Sequence, residues 1–344
     1  MGDPYGIGPE IVVKALSDPR VRRRARFVVY GISEPMQYAA GLAEIEPNWR
    51  RVQHDSNLVD TAIGTGVVIR DYDEYTLAGA PGGARPEPTR LGGHASFRFV
   101  EDAIADAARD AADPLRVDAI VTAPISKQSW ALAGRSRYPG HTELLATRLH
   151  ARRHAMMFVA PRLKVVLASS HVPLMELRNV LTIGRIFDPI DLANDAMLEL
   201  GFARPRIAVC GLNPHAGEQG LFGDEETRLI EPALRALTQA GIDARGPFPA
   251  DTVFTRALDG EFDLVAAMYH DQGLIPIKLL EWRSAVNVTL GLPIIRTSPD
   301  HGTAFDIAGK NQADDSSLRA AIELAIDLAA SRRARQSSVI STQR

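Results

Sequence analysis

Met268-Tyr-His-Asp-Gln-Gly273, running at once into Leu-Ile-Pro-Ile-Lys278, is the stretch from which the fold can be read. It follows Phe262-Asp-Leu-Val-Ala-Ala267, a mostly apolar run of strand length. His270 and Asp271 are therefore predicted at the carboxyl end of a strand, the place where open α/β sheets bind ligands. A lone histidine after a strand is equally a turn residue, so recurrence decides. A predicted strand over 163–168 runs into Ser169-Ser-His171-Val-Pro173, and another over 206–211 runs into Leu212-Asn-Pro-His-Ala-Gly-Glu218. His171, His215 and His270 thus each follow an apolar strand of their own, and one rim of a sheet is expected to collect them.

Three neutral imidazoles around a divalent cation, with positions left open, make a catalytic rather than a structural metal site. Asp251, in Gly246-Pro-Phe-Pro-Ala-Asp-Thr252, and Asp271 are the acids placed to orient those ligands or to take protons. The spacing matches neither a helical His-Glu-x-x-His pair nor a zinc finger.

Outward from this centre, strands alternate with helices. Phe27-Val-Val-Tyr-Gly31 reads as a strand, with Ser33 as cap of the helix that follows. The signal is weak over 45–89, apart from a strand at 67–69 and a Pro/Gly-rich connection from Gly79 onward. A helix over 97–112 and a strand over 117–123 come next, and Pro124-Ile-Ser-Lys127 stands at the strand's end. Lys127 is either a solvated turn lysine or a proton shuttle or anion contact. Tyr138-Pro-Gly-His-Thr-Glu143 opens a helix to about 149, where His141 and Thr142 suit a phosphate or carboxylate, or else a capping box. A strand over 155–160, helices over 190–200 and 225–240, and a closing helix over 316–330 complete an α/β/α architecture with a mostly parallel sheet.

The first residues, Met1-Gly-Asp-Pro-Tyr-Gly-Ile-Gly-Pro-Glu10, read as a glycine-rich turn feeding a helix with Pro9 in its first turn, a favourable place for an anion. Such a turn normally follows a strand, so a first strand is expected upstream of Met1 in the natural protein.

Composition bounds the function. The 344 residues, 45% hydrophobic and 24% charged, suffice for two α/β lobes and a substantial core. A net charge of −3 gives no basic surface for nucleic acid. One cysteine, Cys210 in an apolar run, rules out an internal disulfide framework and fits a reducing compartment. With no bilayer-length apolar stretch and no signal-peptide pattern, a cytoplasmic protein without a membrane partner is expected.

Five ordered motifs, at 2–10, 138–143, 212–218, 269–273 and Arg296-Thr-Ser-Pro-Asp-His-Gly-Thr-Ala304, resemble the 4-hydroxythreonine-4-phosphate dehydrogenase family of vitamin B6 synthesis over nearly the whole chain. More distantly, the chain resembles the isocitrate and isopropylmalate dehydrogenase fold, whose cofactor loop is similar to 301–309. The resemblance implies one dehydrogenase unit of two lobes over 1–330, the chain crossing between them more than once, while residues 331–344, rich in Arg, Ser and Gln, read as a disordered tail. It also implies a homodimer whose active site lies at the subunit interface. One divalent metal per site, zinc or magnesium or cobalt in its place, would be held by His171 and His215 of one chain and His270 of the other. Substrate contacts carry over to His141, Thr142, Lys278, Asn287 and Arg296. The NAD or NADP loop carries over to His301, Gly302, Thr303, Ala304, Asp306 and Gly309. Lys278 and Arg296 bring the positive charge a phosphate needs. Oxidation of the secondary hydroxyl would give a β-keto acid that loses carbon dioxide, leaving 3-amino-2-oxopropyl phosphate. Lys127, Asp251 and Asp271 are the candidates for proton transfer.

No Gly-x-Gly-x-x-Gly follows a first strand, and the related fold does not use one. Asn311 stands where the family often has glycine. Val253-Phe-Thr-Arg-Ala-Leu258 and Leu274-Ile-Pro-Ile-Lys278 are closer to a second branch acting on threonate or erythronate 4-phosphate. A further cousin oxidises aromatic cis-dihydrodiols. Outside the class stand a metal hydrolase using the same histidines without nicotinamide, and a two-lobed solute-binding protein, which would require export.

Overall fold

The computed structural model describes residues 1–56, 66–77 and 87–342, with side chains as far as residue 335. In chain order its strands are β1 (Phe27–Gly31), β2 (Trp49–Gln53), β3 (Val67–Asp71), β4 (Ala119–Val121), β5 (Ala155–Val159), β6 (Lys164–Leu167), β7 (Ile207–Cys210), β8 (Ala244–Phe248), β9 (Leu264–Ala267), β10 (Val286–Leu290) and β11 (Ile295–Pro299). The longer helices are α1 (Gly8–Ser17), α2 (Ser33–Leu42), α3 (Arg90–Ala107), α4 (Lys127–Leu132), α5 (His141–Arg148), α6 (Ile183–Glu199), α7 (Glu231–Gln239), α8 (Ala250–Leu258), α9 (His270–Glu281) and α10 (Ser316–Thr342). The chain divides into two compact units: Met1–His150 with Pro293–Ala329, and Ala151–Leu292 with the residues from Ala330 onward.

In the first unit β3 pairs in parallel with β1 on one side and β2 on the other, while β4 pairs in parallel with β11. Strand β2 escaped the sequence reading because its Trp-Arg-Arg-Val-Gln face is mostly exposed, so it carries no apolar run. In the second unit six strands lie in the order β10-β5-β6-β9-β7-β8. From β6 to β8 the pairing is parallel, but β5 runs antiparallel to both β6 and β10. The sheet is thus mixed where a mostly parallel one was expected. The reason is local: only a tight turn joins β5 to β6, closed by the Ala160 N–H on the Leu163 carbonyl at 3.0 Å. A parallel neighbour would need a crossover of a dozen or more residues.

Every residue of β7 and β9 is buried, as expected of central parallel strands covered on both faces. Val165, Leu167, Ala208, Cys210, Val265 and Ala267 pack there against Val253 and Phe254 of α8 and Leu274 and Ile277 of α9. Burial pushes the Cys210 thiol up to about 12, so it packs as an inert small group.

Three local expectations differ from the structure. Ser33 does not cap α2: Ile32 holds the cap position, and the Ser33 N–H is taken by the buried Asp71 carboxylate at 2.6 Å. Helix α5 is preceded by Gly140 with no side-chain cap, so Thr142 and Glu143 form no capping box. Helix α10 continues to Thr342, through residues whose composition suggested a disordered tail, with Arg332 Nε on both oxygens of Glu199 at 2.9 and 3.1 Å. The Pro/Gly-rich connection from Gly79 to residue 86 and residues 343–344 lie outside the described residues. Among the described residues no helix is long and apolar enough to cross a membrane.

Helix α3 approaches α4 through Gly93, where a Cβ would lie 2.0 Å from the Ser129 carbonyl oxygen. Gly93→Ala is expected to destabilise the protein by about 2 kcal/mol or more, since backbone rather than a movable side chain must give way. Urea denaturation checks this; an unchanged midpoint would show that the two helices separate freely.

Candidate functional site

His171 follows β6, His270 follows β9 and His215 follows β7, and these three strands are neighbours with β9 in the middle. Because all three are parallel, their carboxyl ends share one rim of the sheet. Side chains tie those ends together. The Ser169 hydroxyl donates to the Met268 carbonyl at 2.8 Å, joining the segments after β6 and β9. The buried Gln272 accepts the Met268 N–H at 2.6 Å and donates to the Gly211 carbonyl at 2.8 Å, joining β9 to β7. The amide of the opening motif is therefore a clamp between two histidine-bearing loops.

The rings of His171 and His270 stand 5.7 Å apart between centroids, tilted by 38°. His270 is the first residue of α9, and its Nδ1 lies 2.6 Å from Asp271 Oδ1. A carboxylate on one ring nitrogen fixes the orientation of the ring and leaves Nε2 as the donor for a cation. His215, beyond the end of β7, has its ring 6.0 Å from that of Phe222. Among the described residues no three His, Cys, Asp or Glu side chains of the single chain could hold one ion. The structure thus brings the rings of His171 and His270 together.

His215 sits in an unusual backbone. Residues 215–219 all have positive φ, between 42° and 79°, and only Gly217 among them is a glycine. Left-handed conformations cost L-residues roughly 1–2 kcal/mol each, so this turn must be held by its surroundings. Asp251, expected in a proline-rich turn, lies in the first turn of α8, which packs against the same segment.

The first unit carries most of the remaining expected residues. Arg296 on β11 is 3% exposed, and its Nη2 donates to the Thr122 hydroxyl at 2.8 Å. Burial lowers its pKa to about 10, with Glu143 acting in the opposite sense, so the guanidinium stays charged at neutral pH. His141, first residue of α5, stacks edge-on against the buried Trp130 at 5.7 Å. Its Nε2 is buried without a hydrogen-bond partner, and burial, then the Arg296 charge, pushes its pKa well below the usual histidine value. A neutral imidazole beside a charged guanidinium makes a polar patch suited to a phosphorylated or carboxylated small molecule. Lys127 opens α4 and is exposed; its Cε and Glu143 both lie within 4 Å of where a Gly140 Cβ would stand. In the second unit Asn287, on β10, has a buried Oδ1 without a partner, and Lys278 lies 5.4 Å from the Trp282 ring.

The loop 301–309 is anchored by the amino-terminal turn. The Thr303 carbonyl accepts the Ile7 N–H at 2.9 Å and Glu10 Oε1 accepts the Gly309 N–H at 2.5 Å. A Cβ on Gly6 would fall 2.9 Å from Thr303, so this glycine serves close approach to the loop itself. Asn311 takes φ 57°, a left-handed conformation that Asn tolerates, and so stands in for glycine without changing the path of the chain. His301 Nε2 is buried and without a hydrogen-bond partner, as a contact to a bound group would require.

Sequence reasoning missed Glu10, Thr122 and the pair Glu225 and Glu226. Buried acids inside or next to glycine-rich motifs were the available signal.

The sequence profile of the family described as pyridoxal phosphate biosynthetic protein PdxA matches residues 23–325. The chain is 45% identical over 330 residues to the 4-hydroxythreonine-4-phosphate dehydrogenase of Geobacter metallireducens, with 96% of this chain and 94% of that one covered. It is 43% identical over 335 residues to the D-threonate 4-phosphate dehydrogenase of Salmonella typhimurium, with 96% and 97% covered. The crystal structure of 4-hydroxythreonine-4-phosphate dehydrogenase from Klebsiella pneumoniae matches with a TM-score of 0.80 at 40% identity, covering 96% of both chains.

Gln272→Leu strands two buried backbone groups, and is expected to cost about 2–4 kcal/mol in urea denaturation; a loss no larger than that of an exposed substitution would refute the clamp. For His141 the folded pKa is depressed. Stability is therefore complete above about pH 6.5 and is lost below it, where only the unfolded ring takes a proton, at up to about 1.4 kcal/mol per pH unit. His141→Asn is expected to flatten this decline between about pH 6.5 and 5; parallel curves for variant and parent would count against a buried neutral ring.

Proposed function

This chain belongs to the PdxA family of pyridoxal phosphate biosynthetic proteins, and on that premise we propose that it is a cytoplasmic NAD- or NADP-linked dehydrogenase of the isocitrate/isopropylmalate dehydrogenase-like type, oxidising 4-phosphohydroxy-L-threonine. The observation that carries the reading is the delivery of His171, His270 and His215 to one rim by three adjacent parallel strands.

The residues fit a divalent metal in part within one chain: the His171 and His270 rings are close, and Asp271 orients the second. The reading completes the set from a second copy, with His171 and His215 of one subunit and His270 of the other. Helix α9, which begins with His270, supports this, because Ile275, Leu279 and Trp282 form an exposed apolar stripe along it at 64%, 83% and 64% exposure. A stripe at i, i+4, i+7 is the pattern of a face that packs on a partner.

A zinc ion, or magnesium or cobalt in its place, would supply Lewis acidity at the substrate hydroxyl, and the nicotinamide would accept the hydride. Arg296 and Lys278 hold the phosphate by charge, and His141, Thr142 and Asn287 offer neutral polar contacts that fix the carbon skeleton. Lys127, Asp251 or Asp271 takes the hydroxyl proton as the C–H bond gives up its electron pair. The resulting β-keto acid loses its carboxylate as carbon dioxide, leaving 3-amino-2-oxopropyl phosphate. Residues 301–309, His301 first among them, would face the cofactor.

A second reading, oxidation of D-threonate 4-phosphate, is favoured by the 43% identity to a relative of that activity. Both substrates carry a secondary alcohol and a phosphate on a four-carbon acid, so Arg296 and the histidines serve either.

Nicotinamide reduction by the purified full chain, tested on both substrates, on erythronate 4-phosphate and on a cis-dihydrodiol, with NAD and NADP and with each metal, identifies the reaction. Turnover of 4-phosphohydroxy-L-threonine at the highest kcat/KM is expected. His215→Ala should lower kcat/KM on the order of 100-fold or more and abolish metal retention together; full activity after chelator treatment would remove the metal from the account.

A further inference from the structure

We propose that Glu226 is a positioning residue for His215: it fastens the left-handed turn 215–219 to the end of β7 and so sets where the imidazole stands. The inference rests on the reading of His215 as a metal ligand and adds to it a residue outside the ligand set.

Glu226 is 3% exposed and opens a π-helical turn, Glu226–Ile230, that leads into α7. Such single widened turns are frequent at functional sites. Its Oε1 accepts the N–H groups of Leu212 and Asn213 at 2.8 and 2.7 Å, and its Oε2 accepts from Asn213 Nδ2 at 2.9 Å. Asn213 Nδ2 also donates to Glu225 at 2.8 Å. One carboxylate thus receives both backbone donors of the two residues that enter the turn, just before Pro214 and His215. The chain is carved to admit it. A Cβ on Gly217 would lie 2.7 Å from Glu226 Oε2, and one on Gly211 would lie 2.7 Å from the Ala216 Cα and 3.2 Å from Glu226 Oε1. A Cβ on Gly223 would come 2.5 Å from Asn213 Nδ2. Two glycines therefore close on the buried Glu226 and a third on the Asn213 amide that it holds, and what they enclose is a strained loop whose single imidazole is His215. A loop needing only to turn the chain would relax to right-handed conformations; this one is held against that relaxation.

The test titrates zinc ion alone into the chelator-stripped full chain by calorimetry and follows hydrogen exchange of residues 212–222. The proteins are the parent, Glu226→Gln, Glu226→Ala, Gly217→Ala and His215→Ala. Asp106→Asn serves as control, because Asp106 is an equally buried acid, held by Tyr30 and Arg109 at 2.7 Å each in the other unit. Glu226→Gln and Gly217→Ala are expected to raise the zinc Kd 10- to 100-fold and to speed exchange at 212–222, while Asp106→Asn lowers thermal stability and leaves the Kd unchanged. If Glu226→Ala does not fold, the other two variants decide. Parental zinc affinity in the Glu226 and Gly217 variants, with loss of zinc in His215→Ala, overturns the positioning role and spares the metal reading. Parental affinity in His215→Ala overturns both. An Asp106→Asn Kd that rises as much as that of Glu226→Gln overturns the positioning role as well.

Discussion

The hydrogen bonds of Gln272 are the constraint on which the rest of the second unit's chemistry depends. An amide that accepts from the Met268 N–H and donates to the Gly211 carbonyl locks the end of β9 to the end of β7. Ser169 closes the other side through the Met268 carbonyl. Parallel strands end level only if something stops their loops from fraying, and here polar side chains inside the rim do so at the positions from which the histidines depart. Buried polar groups are stable only when each finds a partner, so the clamp holds in one register and fails in any other. That is how a sheet becomes a ruler for three imidazoles.

The two units differ in the dielectric environment of their polar side chains. In the first, burial keeps His141 neutral and lowers Arg296 only to about 10, leaving a persistent cation beside a persistent neutral donor or acceptor. In the second, His270 is partly exposed and the Asp271 carboxylate on its Nδ1 is exposed. Under the proposed reading a phosphate would use the fixed charge of the first environment and a cation the free ring nitrogen of the second.

Much of this was legible in the sequence, and the illegible part has a common cause. Apolar runs ending in His171, His215 and His270 announced both the strands and the rim, because central parallel strands must be apolar throughout and their loops must not be. Chain polarity was harder. The antiparallel β5 is dictated by the short 160–163 turn, a geometric fact that composition does not display. Strand β2 was invisible because its side chains mostly face solvent. Caps were misplaced at Ser33 and Thr142, since a cap depends on which N–H groups tertiary partners such as Asp71 have already claimed. The left-handed path of 215–219 was least legible of all. Its one glycine gave a weak hint, and the acid that enforces it enters from another element of the fold.

The position of His270 at the start of α9 couples chemistry to assembly under the proposed reading. The same helix that presents the imidazole at its first residue exposes Ile275, Leu279 and Trp282 along one face. Apolar area of that size left in water is unfavourable by roughly 25 cal/mol per Å², so a second copy that covers the stripe gains free energy from burial. Helix α9 runs from His270 to Glu281 with Pro276 inside it, so His270 and the stripe belong to one element. Docking the stripe would therefore bring the first turn of α9 close to the neighbouring subunit. Within one chain the rings of His171 and His270 stand 5.7 Å apart, and the proposed set joins His171 and His215 of one subunit to His270 of the other. Under that reading the apolar face and the shared ligand set are one arrangement, because the helix that association would cover is the helix that begins with His270.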